Sequence, residues 1–206
     1  MTVAAILLAA GESTRMGRPK ALLPWGDATL IEYQVQELSA AGVESVAVVL
    51  GHAADEVRPS VPAGPSTGSG QVRVVVNTEY REGRASSLRA GAAALPDSVG
   101  PILVLNVDQP RPRAIIRALL EAHGEGSAAI TLPVWQGKRG HPVVLAGALL
   151  PELRAASEKE RGLRGILDRH ADGVREIDLG SEVVRMDINT PEEYERARNE
   201  WGSTTP

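Results

Sequence analysis

Short apolar runs rich in β-branched residues alternate with helical patterns along most of this chain, and that alternation most constrains what it can fold into. Val3–Leu8, Ser45–Leu50, Val72–Val76, Ile102–Asn106 and Ala128–Pro133 read as strands. Thr29–Ala41, Arg84–Leu95 and Pro112–His123 carry apolar residues at helical spacing. Strands that are apolar at nearly every position are covered on both faces. The expectation is an α/β fold: a Rossmann-like, mostly parallel sheet between two helical layers, in a three-layer α/β/α arrangement. Beyond Pro133 the pattern loosens. Pro142–Leu145 and Val174–Asp178 read as extra strands and Leu163–His170 as a short helix. Thr190-Pro191-Glu192-Glu193 reads as the start of a last helix, with proline at its first position and acids in its first turn. Residues 61–70, rich in Gly, Pro and Ser, read as a loop too short to link domains. No internal repeat is visible, and residues 1–206 read as one domain.

Sheets of this kind gather ligands outside the carboxyl ends of their strands. The first strand empties into Leu7-Leu8-Ala9-Ala10-Gly11-Glu12-Ser13-Thr14-Arg15-Met16-Gly17-Arg18-Pro19-Lys20. Gly11 and Gly17 let backbone N–H groups turn toward an anion with no Cβ in the way. Arg15 adds a planar fork and Lys20 a point charge. Lysine occurs only at positions 20, 138 and 159, so Lys20 stands out among cations that are otherwise arginine. An ordinary basic turn between strand and helix is the alternative. The length of the string favours a cradle for nucleotide phosphates.

Val104-Leu105-Asn106-Val107-Asp108-Gln109-Pro110 sets an acid just past another buried strand. Asp108 there suits Mg²⁺, a hard cation shared between one or two carboxylates and substrate phosphates. A helix N-cap is the competing role, and the phosphate loop tips the balance toward the metal. Asp187, in Met186-Asp187-Ile188-Asn189-Thr190-Pro191, offers a second carboxylate, while Asn189 or Thr190 serves equally well as the cap of the last helix. Ser86 and Ser87 open a helix and can meet a base or a phosphate, or simply cap it. His141, in a Gly-His-Pro turn, and His52, His123 and His170 show no metal-ligand spacing. Trp25 and Trp135 suit packing in a chain that has no Phe.

Several classes are excluded. With no cysteine, disulfides and thiolate metal sites are out. A net charge of −4 without a basic stripe argues against nucleic acid as a partner. The apolar runs are too short to span a bilayer, and no charged segment precedes the first, so a cytoplasmic chain is expected. Neither Gly-x-Gly-x-x-Gly nor a Walker sequence follows the first strand, and no nucleophile elbow is present.

Leu8-Ala9-Ala10-Gly11-x-Ser13-x-Arg15-Met16-Gly17-x-Pro19-Lys20 resembles the signature of nucleotidyltransferases with the nucleotide-diphospho-sugar transferase fold, and within them the MobA-like NTP transferases of molybdenum-cofactor maturation. Ser86-Ser87-Leu88-Arg89-x-Gly91, Asp108-Gln109-Pro110, Gly140-His141-Pro142 and Asp187-Ile188-Asn189-Thr190-Pro191-Glu192 match in order, so the resemblance spans about residues 3–200. Ala9-Ala10-Gly11 and Pro19 are similar to the cytidylyltransferase branch, where Ala10 narrows the base pocket toward a pyrimidine. Two positions depart from the family: Val107 stands where glycine is usual and Arg84 where methionine is usual.

The resemblance implies transfer of a nucleoside monophosphate, CMP from CTP, to the terminal phosphate of molybdopterin, with Mg²⁺ and release of pyrophosphate. Catalysis is then positioning plus charge neutralisation. Arg15, Lys20 and Asp108 take the catalytic roles it implies. Leu8, Ala9, Ala10, Gly11, Arg15, Lys20, Ser86 and Ser87 hold the nucleotide. Asp108 and Asp187 hold the metal, and Gln109, Trp135 and His141 lie on the acceptor side. A molybdoenzyme recipient is an implied partner. The rivals are a same-fold enzyme acting on a sugar phosphate or another small phosphorylated acceptor, and a non-catalytic carrier of molybdenum cofactor.

Overall fold

The apolar runs form the middle of one sheet. The computed structural model describes residues 2–63 and 71–202, so most of the 61–70 stretch lies outside the described residues. The first half contains β1 (Thr2–Ala9), β2 (Pro24–Trp25), β3 (Ala28–Thr29), α1 (Leu30–Ala40), β4 (Ser45–Leu50), α2 (Ala54–Val57), β5 (Gln71–Val76) and α3 (Arg84–Ala93). The second half begins with β6 (Val99–Asn106), α4 (Arg113–Gly124), β7 (Ile130–Trp135), β8 (Lys138–Arg139) and β9 (Val143–Leu145). It ends with α5 (Leu150–Arg154), α6 (Gly162–Arg169), β10 (Val174–Asp178) and α7 (Pro191–Trp201).

The sheet order is β10-β7-β9-β6-β1-β4-β5, with β8 paired to β7. β1 runs parallel to both β4 and β6, and β4 parallel to β5. β10 is parallel to β7, whereas β9 lies antiparallel between β6 and β7. The register sets Leu8 beside both Val49 and Asn106, so the carboxyl ends of β1, β4 and β6 open on one edge. Successive residues of β1 face opposite ways. Leu7 joins a core with Leu30, Leu38, Leu103 and Ile116 under α1 and α4. Ile6 joins another with Val49, Leu88, Leu132 and Ile166 under α3 and α6. The three layers follow from that division. Among the described residues no helix is long and apolar enough to cross a membrane.

Three local features differ from the sequence reading. The strand expected at Ala128–Pro133 is Ile130–Trp135. Pro133 does not end it, because its carbonyl accepts a hydrogen bond from the Gly140 N–H (2.8 Å). β7 then turns into β8 through Gln136 (φ 50) and Gly137 (φ 71), two successive left-handed residues that suit a tight hairpin. The small β2–β3 hairpin was not anticipated either.

α3 lies unusually close to the sheet at Gly91, where a Cβ would come within 2.4 Å of Ile6 Cγ2 and 2.9 Å of Val49 Cγ2. Gly91→Ala gains about 1 kcal/mol of helix propensity but loses about 1–3 kcal/mol to overpacking. We expect a net destabilisation of about 1 kcal/mol, and a larger loss for Gly91→Val, read from urea denaturation midpoints.

Candidate active site

Asp108 sits on a loop tied down from three directions. The Val107 N–H donates to the Leu8 carbonyl (2.9 Å), which continues the β1–β6 ladder to the loop's first residue. From α1, the buried Gln34 amide donates to the carbonyls of Asn106 (3.0 Å) and Gln109 (2.9 Å). Glu37, also buried on α1, accepts from the Arg113 N–H (2.5 Å) and its guanidinium (2.7 Å). Glu37 therefore caps α4, and Asp108 does not: the helix starts at Arg113, too far along for an Asp108 cap. The cap reading of Asp108 falls away, and its carboxylate remains available.

The third tie is Arg111, which sequence reasoning missed. Its guanidinium is fully buried and donates to the carbonyls of Pro110 (3.0 Å), His141 (2.9 Å), Val184 (3.1 Å) and Met186 (2.8 Å). Burial pushes Arg111 down to about 9, and the charges of Asp187 and Asp108 oppose the fall. The group stays protonated at neutral pH. An arginine between two prolines past a buried strand was the only sequence signal, and it does not say which way the side chain turns.

These ties bring together residues far apart in sequence. The Ile188 N–H donates to the Asp108 carbonyl (2.9 Å), which places Asp187 and Asn189 beside Asp108. Lys20 Nζ donates to Asp108 Oδ2 (2.7 Å) and to Asn189 Oδ1 (3.2 Å). Thr190, not Asn189, caps α7, through a reciprocal box with Glu193, so the Asn189 side chain is left to face Lys20. Although part of Asp187 is open to solvent, the protein around its carboxyl and then the charge of Asp108 raise it above the usual carboxylate range. Two neighbouring carboxylates and an amide oxygen are hard ligands of the kind a divalent cation takes. Among the described residues no cluster of three or more His, Cys, Asp or Glu could hold a metal alone. Such a cation would complete its shell with substrate phosphates.

A cavity of about 300 Å³ opens above this cluster. Leu8, Ala9, Ala10, Gly11, Arg15, Lys20, Ser87 and Asp108 are among the residues lining it. Arg15 is exposed and Lys20 half-buried. The loop's sharp turns fall at Ser13 (φ 52) and Gly17 (φ 67). Gly11 does not adopt a left-handed conformation, and a Cβ there would meet no atom within 4 Å. The crowded glycine is instead Gly51, where a Cβ would come within 2.8 Å of Ala10 Cβ and 2.9 Å of the Ala10 carbonyl. Ser86 is turned away: it donates to the Glu79 and Gly83 carbonyls and accepts from Asn77. Neither serine caps α3, since Glu158 Oε1 accepts from the Ala85 N–H (2.6 Å). His52 and Tyr80 line the cavity as an edge-on pair with ring centres 6.1 Å apart, a contribution the sequence reading gave to neither.

The three acceptor-side candidates are not gathered together. The Gln109 side chain is buried and accepts from Asn106 Nδ2 (3.0 Å). Trp135 lines a second cavity, of about 490 Å³, with Asp187 and Trp201, and this cavity shares Asn189 with the first. His141 lines a third, of about 370 Å³, that shares Leu8, Arg84 and Asn106 with the first. Its Nδ1 is buried without a partner among the described residues, and burial together with the Arg111 charge pushes His141 down to about 4. His123 bonds to Thr131 and His170 to Glu152, both as structural contacts.

A model of the MobA-like NTP transferase domain matches residues 5–174. The chain is 33% identical to the nicotine blue oxidoreductase of Paenarthrobacter nicotinovorans over 94% of this chain and 95% of that one. It is 30% identical to the bifunctional protein GlmU of Geobacter metallireducens over 80% of this chain, which spans only 35% of that relative. Among solved structures, a nucleotidyl transferase from Methanothermobacter thermautotroptrophicus superposes with a TM-score of 0.79 at 26% identity, over 99% of each chain. The manganese complex of Rv0371C from Mycobacterium tuberculosis gives 0.73 at 26% identity, over 97% of this chain and 99% of that one.

Arg111→Met strands four buried carbonyls. At about 1 kcal/mol or more per lost partner, we expect a loss of about 3 kcal/mol or more in urea denaturation at pH 7. Arg111→Lys, which lacks the planar fork, should recover only part of it. His141 titrates lower in the folded chain (about 4) than its ordinary 6.5. The unfolded chain therefore binds the extra proton, and stability falls as pH drops from 6.5 toward 4. At pH 5 the loss is about 2 kcal/mol. Denaturation at pH 7 and pH 5 should show a smaller difference for His141→Gln than for the parent chain.

Proposed function

The chain belongs to the MobA-like NTP transferase family, and on that premise we propose that it transfers CMP from CTP to the terminal phosphate of a molybdopterin-type acceptor. The observation that carries this reading is the junction of Lys20 with Asp108 and Asn189, on the rim of the cavity that Arg15 also enters. In the step, an acceptor phosphate oxygen bonds to the α-phosphorus. The bond to the β-phosphate breaks, and pyrophosphate leaves with the electron pair. No nucleophile from the protein is required.

Each residue has a physical task. Arg15 and Lys20 neutralise the triphosphate and hold it in line for attack. Ala9 and Ala10 line the cavity and would meet the base. Ser87 lines the same cavity, and Ser86 fixes the turn beneath it by its bonds to Asn77 and Gly83. Asp108 and Asp187 would hold Mg²⁺, which when bound supplies charge neutralisation at the α-phosphate. The Lys20 ammonium holds Asp108 in place through their 2.7 Å contact. A molybdoenzyme is the recipient this assignment leads to.

A second reading is a reductase, favoured by the end-to-end match to a relative named an oxidoreductase. Against it stand the paired carboxylates and the absence of Gly-x-Gly-x-x-Gly after β1. The two part in one assay. With CTP, Mg²⁺, a molybdopterin source, NADH and a two-electron acceptor dye present together, pyrophosphate release supports transfer, while electron transfer from NADH to the dye without it supports reduction. Nucleotide binding with neither outcome marks a carrier.

Lys20→Ala and Asp108→Asn should each lower kcat/KM for pyrophosphate release by about 10²-fold or more while circular dichroism stays unchanged. Ala10→Gly should raise the use of GTP relative to CTP. Near-normal rates in both of the first two variants would sink the site assignment.

A further inference from the structure

The nucleotide cavity has two unlike ends, set on opposite sides of β1 in the sheet order β6-β1-β4-β5. Its charged lining residues are Arg15, Lys20, Arg84 and Asp108. Lys20 and Asp108 meet just past β6, and the Arg84 charge is felt at Asp187 and His141 on that same side. The other end is built where β4 and β5 stop. There the Asn77 N–H donates to the Leu50 carbonyl (2.8 Å), one step past the β4–β5 ladder. Tyr80 and Ala10 close on Gly51, where a Cβ would come within 2.7 Å of Tyr80 Cβ and 2.8 Å of Ala10 Cβ. The His52 N–H donates to the Ala10 carbonyl (3.2 Å). Ala10, His52, Tyr80 and Ser87 all line the cavity. With the triphosphate at the charged end, the base falls at this one.

Behind that end the hydrogen bonds run in one direction. Asn77 is buried, and its Oδ1 accepts from the Glu79 N–H (3.0 Å), so the NH2 end is the one that faces α3. It gives one hydrogen to Ser86 Oγ (2.9 Å) and the other to Ser87 Oγ (3.0 Å). The two hydroxyls then differ. Ser86 passes its only proton to the Gly83 carbonyl (2.8 Å) or the Glu79 carbonyl (3.0 Å). Among the described residues Ser87 accepts from Asn77 and donates to none. A hydroxyl that must accept on its inner side keeps its one proton for the cavity. Ser87 is only 5% exposed, and a buried donor is costly to leave without an acceptor.

We propose that Asn77 is the positioning residue for base selection: by donating to Ser87 it fixes that hydroxyl as a donor, and the base taken is one with an unprotonated ring nitrogen on the edge that meets it. The proposal rests on the transferase reading above and adds the residue that sets the polarity of its base pocket. Cytosine presents N3 as an acceptor, whereas uracil carries N3–H at the same place. Two donors face to face leave both without a partner, so UTP is rejected at this contact. Ala10 cannot make that distinction, because the two pyrimidines are of equal size. Asn77 touches no substrate and acts only through Ser87.

The test is calorimetric binding, with Mg²⁺, of CTP, UTP and ribose 5-triphosphate, which carries no base. The parent chain should bind CTP at least tenfold more tightly than UTP. Ser87→Ala should weaken CTP about tenfold and leave ribose 5-triphosphate within twofold. In Asn77→Asp the new carboxylate can only accept, so Ser87 turns its proton inward and shows the base a lone pair. The preference for CTP over UTP should then fall at least tenfold or reverse, which a mere loss of packing would not produce. An unchanged preference in Asn77→Asp overturns the proposal, as does equal binding of CTP and UTP by the parent chain. An equal loss of ribose 5-triphosphate in Ser87→Ala also overturns it, since the hydroxyl then serves the ribose or a phosphate. If circular dichroism shows Asn77→Asp unfolded, Ser87→Ala decides: loss of the CTP preference supports the proposal and its retention overturns it. If the parent chain binds none of the three ligands, it is the transferase reading that fails.

Discussion

One buried guanidinium decides whether the second half of this molecule has a fixed shape. Among the described residues Arg111 has no carboxylate in hydrogen-bonding contact; its donors go to carbonyls at residues 110, 141, 184 and 186. A cation removed from water is tolerated only when its donors are satisfied and opposite charge lies near. Both conditions hold, because the loop carrying Asp108, the Gly-His-Pro turn and the segment before Asp187 all converge on it. The dependence is mutual. The carbonyls fix the three segments in space, and the trapped positive charge makes a pair of adjacent carboxylates less costly to keep ionised.

That arrangement explains how much of the chain could be read in advance. The strand and helix alternation was legible because it is a local, periodic signal, and β4 and β10 occur at the expected bounds. The loop after β1 and the acid past β6 were legible because strand ends in such a sheet share one edge, whereas Asp187 follows a 3-10 turn (Glu182–Arg185) rather than a strand and is brought there by the Ile188–Asp108 hydrogen bond. The three-dimensional competition for helix caps was not. Glu37 on α1 caps α4 and Glu158 caps α3 across more than seventy residues each, so the serines and Asp108 were released from work that their local sequence suggested. Arg111 was hidden for the same reason: its partners are backbone atoms, which carry no sequence identity.

The partition of space was equally invisible. Trp135 and His141 lie only six residues apart, yet they line different cavities because the β7–β8 hairpin and the turn into β9 come between them. The His141 cavity shares Leu8, Arg84 and Asn106 with the first cavity, and the Trp135 cavity shares Asn189 with it. The unusual Arg84 is thus one of the shared residues. The first cavity is built around the ends of β1 and β6 and holds Arg15, Lys20 and Asp108. The neighbouring one is faced by α3 and α6 and sets arginines and Glu158 beside leucines and valines.

β9 runs against its neighbours. A parallel strand delivers its last residues to the working edge and then needs a helix to return. An antiparallel one delivers its first residues there, so the chain arrives at residues 140–142 directly from the β7–β8 hairpin. Gly140 and His141 are held there by Pro133, Val184 and Arg111, but the hairpin tip at residues 136–138 can vary without disturbing the hydrogen-bonded ladder that supports the loop after β1. One hairpin can thus be edited on its own while the ladder beside it stays untouched.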